Sequence, residues 1–445
     1  MSLQQEQDLE KSYMLPTYGR KPVEFVRGDG MRLYDDCGRE YLDFLAGIGA
    51  VSVGHANLRV TAALQKQAAK LLHVGNYFYV EGRGELAQKI SGLLNAGVTG
   101  DAAATPGAAA TPDAAATGED AEDAAAESPA APPDAAATPD AAATPWRTFF
   151  ANSGTEAVEG AIKIARKYGA EQLEGADTVI TARRSFHGRT LAALAATGQP
   201  SKQDLFRPLP QGFVHVDLND THALKTMLNQ GAGGPSICAV LLECIQGEGG
   251  VYPCTEEYLR AARELTAQRG ILLMLDEVQT GFYRTGTWPF AFQHYGIMPD
   301  VVALAKGLGA GMPIGAVAAR GVAAQVLAPG DHGSTFGGSP LAIAAANATL
   351  DELAASDIAR QVEQVGEYLA KKLAQLPGVI EVRGRGLMRA AQLARPIAAS
   401  VVDAALAQGL VLNAIGENIL RFLPPLVCTE AEVDVLIAKL KGILS

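Results

Sequence analysis

Lysine and arginine are absent from residues 101–145, where nine of the 48 acidic residues fall; the other 39 nearly balance the 37 Lys and Arg of the chain. A body so close to neutral excludes the electrostatic footprint of a protein that binds nucleic acid or an anionic membrane. Cysteine is scarce: Cys37, Cys238, Cys244, Cys254 and Cys428 are odd in number and include no C-x-x-C pair, so neither a disulfide framework nor a zinc ribbon is expected. The seven histidines lack metal spacings such as H-E-x-x-H, and no metal is expected. No Gly-Lys dipeptide occurs, which rules out a P-loop. No uninterrupted apolar run reaches about 18 residues, the length a membrane-spanning helix needs. The opening MSLQQEQDLEKSY is polar and carries both charge signs, unlike a secretory signal. Reduced thiols in a cytoplasm are the expectation.

What is present is a chain of 445 residues, 48% hydrophobic and 19% charged, with mean hydropathy +0.09. That is the profile of a globular protein of two or three domains. One tract departs from it. DAAATP at 101–106 recurs as GAAATP and DAAATG, then twice more at 134–145, an internal repeat of period six. Its prolines interrupt any helix, and Ala, Thr and Pro cannot fill the core of a β-helix. With almost no large apolar side chains to offset the entropy of ordering, it is expected to be a disordered insertion at 100–145. It is flanked by GELAQKISGLLN, which reads as an amphipathic helix, and WRTFFANSG, which reads as a strand entering a turn.

Downstream, strand-like runs TVITA (178–182), ICAVLLE (237–243), ILLMLDE (271–277), VVALAK (301–306) and IGAVAA (314–319) alternate with helical runs at 157–173 and 256–270. Alternation of this kind is the signature of an α/β fold, a mainly parallel sheet covered by helices. Gly270 stands where the second of those helices should stop. From about 340 the pattern changes to two long helices, short strands and a final helix, EAEVDVLIAKLKGIL. This implies a smaller α+β domain, which the hairpin-like VEFVRGDGMRLYDDCGREYLDF is expected to join. The division expected is 1–75 as an N-terminal part of the small domain, 76–325 as the large domain, and 326–445 as the C-terminal small domain.

Four segments stand where ligands sit in such sheets, beyond the carboxyl ends of strands. Asn152-Ser153-Gly154-Thr155 precedes a helix whose free N–H groups and dipole would receive a phosphate, although a plain N-cap explains the same residues. Asp276, at the end of the apolar run in ILLMLDE, is a carboxylate that, once buried, must find a cationic ligand or an internal arginine. Lys306 closes VVALAK before the Gly-rich GLGAGMPIG; desolvated, its amine becomes a carbonyl nucleophile, and exposed, it is a surface lysine. In Phe186-His187-Gly188-Arg189 the ring could stack on a flat cofactor and the guanidinium grip a carboxylate. Phe186 could equally be core, and His187 an ordinary hydrogen-bonded histidine.

A lysine nucleophile, a carboxylate for a pyridinium nitrogen, a phosphate cup and an aromatic plate together are what pyridoxal 5′-phosphate requires. NSGTEAVEGAIKIARKYG, SFHGRTLAALAATGQ, ECIQGEGGV, LDEVQTGFYRTG, PDVVALAKGLGAGMPIGA and HGSTFGGSPLA, in that order and spacing, resemble the class-III aminotransferases of fold type I. Within them the acetylornithine aminotransferase group and its relatives in lysine biosynthesis are most similar. The resemblance runs from about Tyr18 to the C-terminus, omitting the repeat tract.

The resemblance implies roles for individual residues. Lys306 matches the Schiff-base lysine that also moves the proton, and Asp276 the carboxylate that keeps the pyridine nitrogen protonated. Phe186 matches the stacking ring, His187 accompanies it at the cofactor, and Gln279 matches the glutamine at the phenolic oxygen. Ser153, Gly154 and Thr155 fall at the phosphate, and Thr335 matches a threonine that reaches the phosphate of a neighbouring subunit, implying a homodimer. Arg189 matches the arginine for the distal carboxylate, Arg421 the one for the α-carboxylate of the 2-oxo acid, and Glu248 the glutamate that pairs with Arg421 when an amine donor is bound. Tyr18 is a further candidate for the donor carboxylate. Where relatives carry Pro, Gly, Asn and an apolar residue, this chain has Cys244, Tyr283, Ser339 and Arg389; Tyr283, near the cofactor loop, is positioned to reshape the pocket.

The activity implied is transfer of the terminal amine of N2-acetylornithine to 2-oxoglutarate, as in arginine biosynthesis. Its rivals are the corresponding lysine-biosynthesis step on a donor carried by a small acidic protein, another ω-amine aminotransferase, and a catalytically idle scaffold. Small-molecule partners are expected, and neither nucleic acid nor membrane.

Overall fold

The computed structural model describes residues 2–97, 145–229 and 236–445. The disorder expected for the repeat tract therefore falls almost wholly outside the described residues. The two ends that flank the tract are tied together. Helix Arg83–Asn95 buries Leu86, Ile90 and Leu94 at i, i+4 spacing, and Trp146, opening the next strand, donates its backbone N–H to Ser91 Oγ and its indole N–H to Asn95 Oδ1, both at 3.0 Å.

Seven strands form the central sheet, in the spatial order Arg147–Ala151, Gly315–Ala319, Val301–Leu304, Leu272–Asp276, Ile237–Leu242, Thr178–Ala182, Phe213–Val216. Every pairing is parallel except the two that Gly315–Ala319 makes with its neighbours. That reversal is invisible in the apolar pattern, because a strand covered on both faces reads as a continuous hydrophobic run in either direction. Thr178–Ala182, Leu272–Asp276, Val301–Leu304 and Gly315–Ala319 are indeed buried at every position.

Helix Gly154–Gln172 begins on the Ser153 N-cap and lays Ala157, Val158, Ala161, Ile162 and Ala165 against the sheet. Burial of each Val or Ile side chain is worth about 1.5–3 kcal/mol, so this face, rather than helix propensity, holds the N-terminus of the helix at the sheet edge. Helix Glu256–Gln268 ends before Gly270, whose φ of +64° is the left-handed stop that favours glycine.

Outside this sheet, Phe25–Asp29, Arg32–Asp35 and Glu40–Asp43 form an antiparallel meander. It gains a parallel fourth strand, Leu410–Val411, from the far end of the chain. A second antiparallel sheet runs Val379–Arg385, Met388–Leu393, Ile419–Phe422, Asn413–Ile415. Helices Pro340–Ala355 and Ile358–Leu373 precede it, and Glu430–Leu444 closes the chain. The N-terminal meander thus shares its sheet with one C-terminal strand.

Candidate active site

A cavity of about 370 Å³ opens beyond the carboxyl ends of the parallel strands. Its chemistry follows from register. Asp276 pairs with Ala303 on the neighbouring strand, so the strand ending in Leu304 delivers Ala305 and Lys306 to the edge where Asp276 already stands. Both line the cavity.

Lys306 has φ +45°, a left-handed conformation that costs a residue with a Cβ roughly 1–2 kcal/mol. The turn is kept by Leu308 N–H on Ala305 O at 3.1 Å, Gly309 N–H on Lys306 O at 3.2 Å, and the Ser52 hydroxyl on Gly307 O at 2.9 Å. Its amine has no hydrogen bond or ion pair among the described residues. Burial pushes the ammonium down from its ordinary range, with Arg421 adding to the effect, against the opposing pull of Asp276, Glu248 and Glu243.

Asp276 is buried; its Oδ2 lies 2.9 Å from His187 Nδ1, and its Oδ1 accepts the Val278 N–H at 3.1 Å. His187 Nε2 is buried without a partner. The histidine is thus hydrogen-bonded, and it also belongs to the cavity wall, beside Phe186.

Glu243 escapes the sequence reading. It closes the apolar run ICAVLLE as Asp276 follows the apolar residues of ILLMLDE, and that shared signal could have found it. Its Oε2 accepts the Phe186 N–H at 3.0 Å and its Oε1 the Gly247 N–H at 3.3 Å, at the cavity wall. Burial pushes its carboxyl up to about 7; Asp276 adds to the rise and His187 opposes it.

At the start of helix Gly154–Gln172 both hydroxyls are engaged within the protein. Ser153 Oγ accepts the Glu156 N–H at 3.3 Å, and Thr155 Oγ1 accepts the Arg189 N–H at 3.1 Å and the Thr190 N–H at 3.4 Å. The backbone N–H groups of Gly154 and Thr155 have no partner among the described residues, so the cap leaves two donors that could receive an anion. A Cβ at Gly188 would lie 2.1 Å from Thr155 Oγ1. Only glycine lets the Phe186–Arg189 segment close on the helix.

Gln279 lines the cavity next to Gly247, where a Cβ would meet Gln279 Oε1 at 2.1 Å. Arg421 is 1% exposed. Its Nη1 bonds Glu248 and, at 3.5 Å, Gln279 Oε1, while Nε and Nη2 both donate to Asn413 Oδ1 at 3.0 and 2.7 Å. Burial raises the Glu248 carboxyl, but the charge and hydrogen bond of Arg421, with Lys306 and Gln279, outweigh it and hold it below its ordinary value. Arg189 is exposed at the cavity wall, 5.4 Å from the Phe186 ring centre, with no carboxylate partner among the described residues.

Arg421 is not itself in the lining and meets the cavity through Glu248 and Gln279, while Tyr18 and Thr335 lie apart from it. Tyr18 is 76% exposed, 5.8 Å from the Arg20 guanidinium. Thr335 is exposed in a loop that Asn76 Nδ2 holds through Ser334 O at 2.6 Å and Gly337 O at 3.2 Å. Of the departures, Tyr283 has φ +66°, a conformation that favours the glycine of relatives, yet its ring is buried in the core outside the cavity lining. Cys244 is buried in the same core, and Ser339 stands before helix Pro340–Ala355 without a side-chain cap bond. Arg389 is buried and bonds Glu367 at 2.6 Å, Gly386 O at 2.9 Å and Gly384 O at 2.8 Å, pinning a hairpin to helix Ile358–Leu373.

Unpaired helix N–H groups, the orphaned His187 Nε2 behind Asp276, the Phe186 wall and an unpartnered amine fit a flat, phosphorylated pyridine bearing a carbonyl. The class-III aminotransferase family model matches residues 13–125 and 135–444. The acetylornithine aminotransferase of Caldanaerobacter subterraneus subsp. tengcongensis is 40% identical over 441 residues, 98% of either chain. Among solved structures, the N-acetylornithine aminotransferase of Stenotrophomonas maltophilia K279a aligns with TM-score 0.74 and 34% identity over 98% of this chain and 97% of its own. The ornithine aminotransferase of Toxoplasma gondii, reported with partial occupancy of pyridoxal phosphate, aligns with TM-score 0.83 and 30% identity over 99% and 93%. The chain belongs to the class-III aminotransferases, enzymes of fold type I that depend on pyridoxal 5′-phosphate.

Proposed function

We propose that this enzyme moves the terminal amine of N2-acetylornithine to 2-oxoglutarate, giving N-acetylglutamate 5-semialdehyde and glutamate, in the cytoplasm. The observation that carries the reading is the pairing of charges at the cavity: Arg421, buried behind the cavity-lining Glu248, is compensated by it, and Arg189 in the wall is left open. An ω-amine donor presents one carboxylate, distal to its reacting carbon, whereas 2-oxoglutarate presents two. Arg189 takes the distal carboxylate of each. Arg421 takes the second carboxylate of the acceptor once Glu248 moves aside, and is neutralised by Glu248 when the donor is bound. The relatives named for acetylornithine point to the same donor.

Bound pyridoxal phosphate supplies a carbonyl for the amine and an electron sink for the carbon that loses its proton. Gly154 and Thr155 offer N–H groups to the phosphate, with Ser153 shaping the turn. Asp276, hydrogen-bonded to His187, would hold the pyridine nitrogen protonated, Phe186 would stack on the ring, and Gln279 would bind the phenolic oxygen. Lys306 Nζ would be the group that takes up and returns the proton lost by the substrate carbon, a task its lowered proton affinity suits.

The functional unit in this reading is a homodimer in which Thr335 reaches the cofactor phosphate of the partner. Supporting it, Tyr77, Phe78, Tyr79 and Phe336 stand 97%, 64%, 105% and 61% exposed around the loop that carries Thr335, an apolar patch that a second copy would cover. Residues 1–75 and 326–445 are taken as the small domain and 76–325 as the large one. No helix among the described residues is long and apolar enough to cross a membrane. The test is a donor panel with 2-oxoglutarate, measuring glutamate formed from acetylornithine, ornithine, succinylornithine and 4-aminobutyrate. Acetylornithine should have the highest kcat/KM; preference for an unacylated donor would reject the assignment.

A further inference from the structure

We infer that Asn413 is a positioning residue that sets both the edge and the charge which Arg421 offers to the 2-oxo acid; the inference rests on reading Arg421 as the α-carboxylate site. Asn413 and Arg421 are directly opposite each other on the antiparallel strands Asn413–Ile415 and Ile419–Phe422. Register therefore holds the carboxamide against the guanidinium whatever occupies the cavity. One oxygen, Asn413 Oδ1, takes both Nε at 3.0 Å and Nη2 at 2.7 Å. The fork is thereby fixed with its Nη1 corner turned to Glu248 and Gln279. A carboxylate displacing Glu248 is received at that corner and not on the Nε/Nη2 edge, which is already filled.

The neutrality of the acceptor matters as much as its position. Arg421 is 1% exposed, so its charge must be met within the protein. Glu248 is the ion-pair partner among the described residues. With an amide at 413, departure of Glu248 uncovers a full positive charge for the incoming acid. With a carboxylate at 413 the cation would stay neutralised by a partner that the strand register cannot release. With no acceptor at 413, two buried N–H donors would lose their partner and the fork its orientation. Asn413 thus makes Glu248 the removable counter-ion.

The test compares holoenzymes of Asn413→Asp, Asn413→Ser and Arg421→Ala in single-turnover measurements of each half-reaction, together with calorimetric binding of glutarate, a non-reacting dicarboxylate. Asn413→Asp is nearly isosteric and should fold. It should lower kcat/KM of the 2-oxoglutarate half-reaction about tenfold or more beyond any change in the amine half-reaction, and weaken glutarate by a similar factor. Asn413→Ser, neutral but too short to hold the fork, should show the same split to a smaller extent. A split below about fivefold in Asn413→Asp, or unchanged glutarate affinity, overturns the inference if Arg421→Ala itself shows the split. If Arg421→Ala shows none, the reading of Arg421 fails and this inference falls with it.

Discussion

At one wall of the cavity Arg189 is exposed, lying over the Phe186 ring without a carboxylate partner among the described residues; Arg421 is buried and hydrogen-bonded through three of its nitrogens. The first sits in a loop closed by Gly188, the second in a strand of the C-terminal sheet. An exposed cation costs little to leave open, because water solvates it between substrates. A buried cation must carry its own counter-ion, and so becomes selective for ligands able to replace that counter-ion. In the proposed reading two arginines of equal charge would therefore discriminate differently, Arg189 binding any distal carboxylate and Arg421 responding to whether a second one is present.

The most severe way to break this comparison is to remove the group both arginines serve. Lys306→Ala should reduce both half-reactions by at least about 10³-fold while the cofactor remains noncovalently bound, since the phosphate and ring contacts persist. Borohydride reduction and peptide mapping of the unaltered enzyme should place the cofactor on Lys306; attachment to another lysine would refute the assignment.

The comparison itself is sharpened by the two arginine deletions. Each removes a charge-assisted carboxylate contact of about 2–4 kcal/mol. Arg189→Ala should weaken donor and acceptor alike, and Arg421→Ala mainly the 2-oxo acid half-reaction. Single-turnover rates that fall more for the amine half-reaction in Arg421→Ala than in Arg189→Ala would mean the roles are exchanged.

Glu243 offers a smaller effect with a definite sign. Its carboxyl lies near 7 in the folded protein against an ordinary 4.5. Between those values the folded state holds a proton that the unfolded state releases, so the stability contributed by this group falls as pH rises through that window and is lowest above 7. Glu243→Gln cannot titrate. Its apparent Tm relative to the unaltered enzyme should therefore rise by a few degrees from pH 5 to pH 8. A difference that does not change with pH would show that the carboxyl titrates in its usual range.

The smallest effect is expected at the repeat tract. Trp146 bonds Ser91 and Asn95, so the two segments that flank the tract are held side by side. Lengthening a loop costs only logarithmically, about 1.7 kcal/mol from 8 to 52 residues. Replacing residues 100–144 by a short Gly/Ser linker should leave kcat/KM within about threefold and the oligomeric state of the unaltered enzyme unchanged; loss of cofactor or a change in oligomeric state would show that the tract packs on the body.

Much of the site is legible in the sequence because its signals are local. Asp276 and Lys306 close apolar runs that could only be buried strands, Ser153 to Thr155 open a helix of regular period, and Gly270 ends one. The direction of Gly315–Ala319 is not legible, since burial on both faces erases the alternation that could betray it. Glu243 shows the same local signal as Asp276, but what it holds, the N–H groups of Phe186 and Gly247, comes from segments 57 and 4 residues away. The sequence by itself determined which groups stand at the ends of strands and helices, because hydrophobic period and capping act over a few residues. Only the tertiary structure decided which of those groups share a cavity. Strand register joins Asp276 to Ala303 and Asn413 to Arg421, and the close approach permitted at Gly188 brings Arg189 to Thr155. Tyr18 stands outside this cavity, and Thr335, expected at the phosphate of a neighbouring subunit, is exposed on the loop beside Asn76, because what a residue meets depends on the surfaces that the fold brings together and not on its neighbours in the chain.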